Sequence, residues 1–299
     1  MTEITLLDGS IGQELMKRSG DRPTTIWSIQ VMMDHPGIVQ EVHEEYFRAG
    51  ATIASTNTYC VHRDRLEKVD LDPDLMPGLI DKALTEAERA RAAHGDGRLA
   101  GSLGPLEASY RPDIRLAPDF AAQVFAEEVA LMKDRVDFFL METVSSLEHA
   151  TGAMRGTAGC GKPVWLSMTV DDEDGTRLRS GEALADLAPI VAAYQPAAVL
   201  INCSRPEAVA AALEVVRGFG KPFGAYANGF THISTGFLKA KPTVDALTAR
   251  TDLDPAAYAG FVMGWVGQGA TIVGGCCEVG PGHIAELARQ LAAAGHRIV

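Results

Sequence analysis

Aromatic residues are scarce. Phe, Trp and Tyr make up 6% of the 299 residues, while glycine alone contributes 30. That balance disfavours an all-β sandwich, whose strands draw on aromatic and β-branched side chains. Long apolar runs are missing too. No run approaches ~18 residues, so no membrane-spanning helix is expected. Basic residues are outnumbered, 27 Lys and Arg against 39 Asp and Glu, for a net charge of −12. With no basic run, the chain is a poor partner for nucleic acid or an anionic membrane surface. Cysteines are few and odd in number, five in all, which argues for free thiols or a metal rather than a disulfide framework. The start, MTEITLLDGS, has neither a basic stretch nor a long apolar core, so no secretory leader is expected and the expected location is cytoplasmic. No Ser/Gly/Pro-rich stretch reads as a linker, and residues 1–299 are expected to form one domain.

What remains is alternation. Short apolar runs occur at Ile4–Leu7, Thr52–Thr56, Arg98–Ser102, Phe138–Glu142, Val164–Thr169, Val199–Cys203, Phe223–Ala227 and Thr271–Gly274. Runs of this kind suit parallel strands covered on both faces. Eight amphipathic stretches follow them, from Gly37–Ala49 to Pro281–Ala294, several with Pro near the start and Gly near the end. Eight strands alternating with eight helices predict a (β/α)8 TIM barrel with its site at the C-terminal mouth. The alternative, an open doubly wound sheet, needs a topological switch point that the sequence does not mark. Two stretches after strand ends, Asp21–Pro36 and Asn228–Asp254, read as irregular and as candidate covering loops.

Chemistry-bearing residues gather at strand ends. Cys203 closes the sixth strand, and Cys276 with Cys277 closes the eighth. With one strand between them, those ends lie ~10 Å apart, and inward-leaning side chains can meet at one ion. Three soft sulfur ligands suit Zn²⁺ with a fourth position open. Asp8 ends the first strand and Glu142 the fourth, so both carboxylates point at the mouth. Glu142 sits in an apolar run, where a charge needs a partner such as a ligand ammonium. Cys60 is expected to line the pocket without touching metal, Cys160 to lie at the opposite mouth, and His283 to cap the last helix.

These motifs resemble the homocysteine S-methyltransferase family nearly end to end. The resemblance rests on Leu7-Asp8-Gly9-Ser10, Trp27-Ser28, Thr56-Asn57-Thr58-Tyr59, Gly101-Ser102-Leu103-Gly104-Pro105, Glu142-Thr143, Asn202-Cys203 and Gly274-Gly275-Cys276-Cys277. It implies a zinc-dependent barrel that methylates homocysteine to methionine. Carried over, Cys203, Cys276 and Cys277 hold zinc. Asp8 and Glu142 take the amino acid's ammonium, with Gly9, Ser10, Thr56 and Asn202 in the same substrate-binding set. There are departures: Ser10 replaces the family's usual second glycine, Ala227 stands where a proline is common, and Glu278 follows the cysteine pair in place of glycine. The Trp27 and Tyr59 stretches look like the branch that uses a methylsulfonium such as S-methylmethionine, both aromatics facing the donor cation. Betaine- or corrinoid-dependent transfer to a thiol is the nearest alternative. A zinc or thiol redox sensor on the same scaffold is an alternative of another class.

Overall fold

A computed structural model describes residues 2–21, 26–233 and 247–299. Nine parallel strands form the centre: β1 (Glu3–Leu6), β2 (Ile53–Ser55), β3 (Arg98–Leu103), β4 (Phe138–Val144), β5 (Val164–Met168), β6 (Ala198–Asn202), β7 (Phe223–Tyr226), β8 (Ile272–Val273) and β9 (Arg297–Ile298). The sheet runs β2-β3-β4-β5-β6-β7-β8-β1-β9. It closes where β1 meets the start of β2, through Thr52 N–H donating to Leu6 O at 2.8 Å. The expected barrel is therefore present. The ninth strand was not expected. It is only two residues long and pairs with the start of β1, too short to leave a pattern in the sequence.

Helices wrap the outside: α1 (Ile11–Ser19), α2 (Trp27–Asp34), α3 (Ile38–Arg48), α4 (Arg63–Glu67), α5 (Met76–His94), α6 (Pro118–Met132), α7 (Leu147–Thr157), α8 (Ala188–Tyr194), α9 (Pro206–Arg217), α10 (Pro255–Gly267) and α11 (Pro281–Ala293). Proline opens α6, α9, α10 and α11, where its missing N–H costs nothing. Asp254 caps α10 by accepting from Ala257 N–H at 2.8 Å. The stretch expected to be irregular at Asp21–Pro36 contains α2, whose apolar residues Ile29 and Met32 are buried; burial stabilises a helix there despite the lack of a strong periodic signal. Residues 234–246 of the expected loop Asn228–Asp254 lie outside the described residues. No described helix is long and apolar enough to cross a membrane.

Strand parity decides what faces the barrel axis. Successive side chains alternate between faces. Ala100, Phe138, Leu140, Trp165, Ala198, Leu200 and Tyr226 fill the interior, while Phe139, Met141, Leu166 and Ile201 pack beneath the helices. Phe138 and Trp165, with ring centroids 4.0 Å apart, plug the lower barrel. Continuing the same parity upward places Ser102, Glu142, Ser167 and Asn202 on the inner face, one layer above the apolar plug. The apolar interior thus ends in a polar layer just below the mouth.

Candidate active site and thiol cluster

The three cysteines meet. The sulfurs of Cys203, Cys276 and Cys277 all lie within 4.8 Å of one another. Cys203 and Cys276 are joined sulfur to sulfur, with Cα atoms 5.8 Å apart. Two expectations need adjusting. The backbones approach more closely than ~10 Å, because both cysteines lie beyond the last ladder pair, where the loops curl inward. Cys203 has φ 49° and turns the chain over the mouth. In addition, two of the five thiols are paired, because sulfurs that converge on a point suited to one ion also reach bonding distance. Cys276 N–H donates to Ala227 O at 3.0 Å, and Cys277 O accepts from Gly229 N–H at 2.7 Å, which fixes the cluster against the loop after β7.

Two buried carboxylates face the same cavity. Asp8 accepts from Ser55 N–H at 2.6 Å and from Ser55 Oγ at 2.9 Å. Burial pushes its carboxyl up to about 7 against the pull of those bonds, with the nearby Glu142 adding to the rise. Glu142 accepts from Ser102 Oγ at 2.5 Å and Tyr226 OH at 3.1 Å. Burial likewise raises it to about 7. Both groups sit where a cation would restore the ordinary carboxylate state. Burial also pushes the Cys277 thiol up to about 12, with Glu278 reinforcing it.

The other expected residues are distributed unevenly. Gly9 permits a close approach that no side chain allows: a Cβ there would stand 2.1 Å from Val279 O. The next residue, Ser10, donates its N–H to Val279 O at 3.0 Å and its hydroxyl to Gln13 Oε1 at 2.9 Å. Thr56 is buried on the cavity wall, its hydroxyl 2.7 Å from that of Thr58. Asn202 lies beneath the cavity. Its Oδ1 accepts from Thr143 N–H and Ser167 Oγ, and its Nδ2 donates to Thr143 Oγ1, so its amide is spent on holding β4 and β5. Tyr59 lines the cavity with its hydroxyl 2.9 Å from Ser109 Oγ. Trp27 opens α2, and its side chain lies outside the described residues. Cys60 is on the cavity wall and Cys160 is half-buried before β5. His283 accepts from Gly280 N–H at the start of α11.

Several site residues were not read from the sequence. Tyr226 and Ser102 hold Glu142, and Ser55 holds Asp8. Tyr110, after β3, hydrogen-bonds toward Cys277 and has the Arg179 guanidinium 5.0 Å over its ring. Arg179 also donates to Cys203 O at 3.2 Å and pairs with Asp172 at 2.8 Å. Ser102 and Tyr226 were readable in principle from strand parity. Tyr110 and Arg179 lie on loops, where no period announces them.

A closed parallel barrel carrying a thiol cluster and paired buried carboxylates at its C-terminal mouth defines a barrel enzyme acting on a small substrate through sulfur chemistry. The homocysteine S-methyltransferase family model matches residues 5–291, and the chain belongs to that family, whose enzymes transfer a methyl group to a thiol. It is 29% identical over 302 residues to homocysteine S-methyltransferase of Escherichia coli (strain K12), covering 95% of this chain and 94% of that one. Among solved structures, the metallated form of the homocysteine methyltransferase MmuM from Escherichia coli superimposes with a TM-score of 0.79, at 28% identity and 96% coverage of each chain. The oxidized form of MmuM gives a TM-score of 0.80 at 27% identity, again with 96% coverage of each.

Proposed function

We propose that this methyltransferase is zinc-dependent and takes its methyl group from a methylsulfonium such as S-methylmethionine. The observation carrying the reading is that three cysteine sulfurs, which become three soft thiolate ligands once the Cys203–Cys276 pair is reduced, and two buried carboxylates open on one cavity. Three convergent sulfurs fit Zn²⁺ and leave a fourth position for a substrate sulfur. Bound there, zinc supplies a Lewis acid that brings a substrate thiol's pKa into the neutral range.

The chain's own residues do the rest. Cys203, Cys276 and Cys277 hold the ion. Asp8 and Glu142, both raised to about 7 by burial, become carboxylates when an ammonium enters between them and so fix the amino acid end of homocysteine. Gly9, Ser10 and Thr56 shape that end, and Asn202 supports it from below through Thr143. Tyr59, and Trp27 at the start of α2, serve the donor. The acceptor sulfur is then aligned for in-line attack on a methyl carbon. The new C–S bond forms as the donor's C–S⁺ bond breaks, the electron pair leaves with the donor sulfur as a neutral thioether, and the thiol proton goes to solvent.

The test is metal analysis of the purified protein, followed by methionine formation from homocysteine with a donor panel. One zinc per chain and turnover with a methylsulfonium are expected. A metal-free protein with full turnover, or faster turnover with betaine than with any sulfonium, overturns the reading.

A further inference from the structure

Strand β4 carries one residue too many. Met141 pairs with Leu166 and Val144 with Met168, so Glu142 and Thr143 together face the single residue Ser167 of β5. A bulge of this kind re-aims side chains. Leu140 packs inside the barrel, and strict alternation would turn Glu142 and Val144 inward together. Val144 instead joins the outer set beneath the helices, while Glu142 keeps to the cavity. The backbone accommodates the extra residue at Thr143, whose φ is 57°. A β-branched residue rarely adopts that left-handed conformation, so the surroundings must hold it there.

Asn202, at the end of β6, supplies the hold by reaching across β5. Its Oδ1 accepts from Thr143 N–H at 3.0 Å and from Ser167 Oγ at 2.8 Å, and its Nδ2 donates to Thr143 Oγ1 at 3.1 Å. One amide thus grips Thr143 by backbone and side chain at once, and Ser167 opposite it. All three residues are buried, so water is a poor substitute for the amide. The next residue, Cys203, is also left-handed, at φ 49°. Its carbonyl accepts from Thr169 Oγ1 and from Arg179 Nη2, each at 3.2 Å. Asn202 therefore joins two strained turns. Its side chain holds the residue after Glu142, and its backbone leads into Cys203.

We propose that Asn202 is a positioning residue that couples the two ends of the acceptor site. Its amide fixes the bulge that aims Glu142, and its backbone sets the turn that presents Cys203, so the ammonium and sulfur of one substrate meet groups held a fixed distance apart. This deepens the proposed function and rests on it, since Glu142 takes the ammonium there and Cys203 the zinc. Asn202 does not line the cavity and acts through its neighbours. Its effect is cooperative. Zinc at the thiols steadies Asn202 and, through it, Thr143; a carboxylate already aimed then loses less freedom when the ammonium arrives. The coupling is reciprocal, so bound homocysteine also tightens the hold on zinc.

Two measurements on the reduced protein test this. Calorimetry gives the homocysteine affinity with zinc and without it. Zinc should raise that affinity in wild type, and in Asn202→Ala the gain should shrink roughly tenfold, as the loss of a buried hydrogen-bonded amide predicts. Adding Thr143→Gly to Asn202→Ala should restore about threefold of it, because glycine takes a left-handed φ unaided. Adding Thr143→Ala, which removes the same hydroxyl but keeps Cβ, should restore none. A gain in Asn202→Ala within twofold of wild type, or equal recovery by glycine and alanine, overturns the proposal. The second measurement uses wild type alone and so guards against misfolding of the variants. Zinc loading should slow hydrogen exchange of the Thr143 amide by about threefold or more, although β4 carries none of the three cysteines. Unchanged exchange overturns the proposal. A wild type whose homocysteine affinity is the same with and without zinc refutes the zinc reading itself, and the coupling with it.

Discussion

Tyr226 on β7 donates its hydroxyl to Glu142 on β4 at 3.1 Å, across the top of the barrel interior. The two strands are not neighbours; β5 and β6 lie between them. The contact exists because both side chains fall on the inward face, and it leaves Glu142 with two donors, Tyr226 and Ser102. Each bond favours the ionised carboxylate against the burial that opposes it.

Removing that donor should therefore weaken the site without dismantling it. Tyr226→Phe keeps the ring and its packing and raises the Glu142 pKa further. At pH 7 the carboxyl is then more often protonated when an ammonium arrives. Homocysteine affinity should fall about threefold to tenfold, with zinc content and donor KM near wild type. Calorimetric titration of homocysteine into the zinc-loaded protein checks this; wild-type affinity would place Glu142 outside the ammonium site.

The buried carboxylates also set a pH dependence of stability. In the folded chain Asp8 and Glu142 titrate near 7, above the ordinary carboxylate range of an unfolded chain. Between pH ~4 and ~7 the folded state binds more protons than the unfolded one, so stability falls as pH rises through that window. The loss is at most on the order of 4 kcal/mol for Asp8 and 3 kcal/mol for Glu142. Glu142→Gln keeps the size and removes the charge. In the ligand-free protein it should be more stable than wild type at pH 8 and close to it at pH 4. Urea unfolding at both values checks the sign; a variant less stable than wild type at pH 8 contradicts it.

Cys277→Ser should weaken zinc binding by more than roughly a hundredfold, since a hard hydroxyl replaces one of three soft ligands. The fold should persist. Cys203 and Cys276 lie just past strands already held by the ladder and by the apolar interior, so the metal site sits on the barrel and does not build it. Competition with a zinc indicator measures the first effect and circular dichroism the second. Wild-type zinc affinity in this variant would remove Cys277 from the ligand set.

How far these features could be read in the sequence depended on periodicity. The strands and most helices announce themselves through alternation and Pro/Gly punctuation, and the cysteines and carboxylates stand at strand ends where the barrel geometry aims them. What escaped follows other rules. α2 hides in a stretch without a strong amphipathic pattern. β9 is held by two residues. Asn202 sits beside Cys203 in the chain, yet alternation turns it into the layer beneath the cavity, where Thr143 and Ser167 occupy it. Tyr110 and Arg179 acquire meaning only when the loops after β3 and β5 are brought side by side.

His62 and Glu128 show how burial alone separates two adjacent acids on α6. His62 Nδ1 lies 2.7 Å from Glu128 Oε1, and neither side chain is exposed. Glu127 instead pairs with Arg63 at the surface, 44% exposed. Glu128→Ala should cost about 3–5 kcal/mol, because the pair's survivor is left buried without its partner. Glu127→Ala should cost no more than about 1 kcal/mol, since water replaces the lost partner. Chemical denaturation of both variants at neutral pH makes the comparison, and comparable losses would mean that His62 and Glu128 are not a coupled buried pair.

The last prediction concerns the pH at which substrate is held. An ammonium binds the ionised forms of Asp8 and Glu142, which in the free site carry pKa values near 7. Binding must therefore release protons below that value, and homocysteine affinity should rise with pH, steeply from 6 to 7 and little beyond 8. Near pH 6 both carboxyls start mostly protonated, so the slope from the carboxyls should approach two protons per molecule bound. Zinc's hold on the thiol releases a further proton, so the control is homoserine, which keeps the ammonium and carboxylate of homocysteine and carries a hydroxyl in place of the thiol. Proton release on homoserine binding, measured by calorimetry in buffers of different ionisation heat, isolates the carboxylates. Asp8→Asn with Glu142→Gln should abolish it. A pH-independent homoserine affinity in wild type would show that the two buried acids do not receive the ammonium.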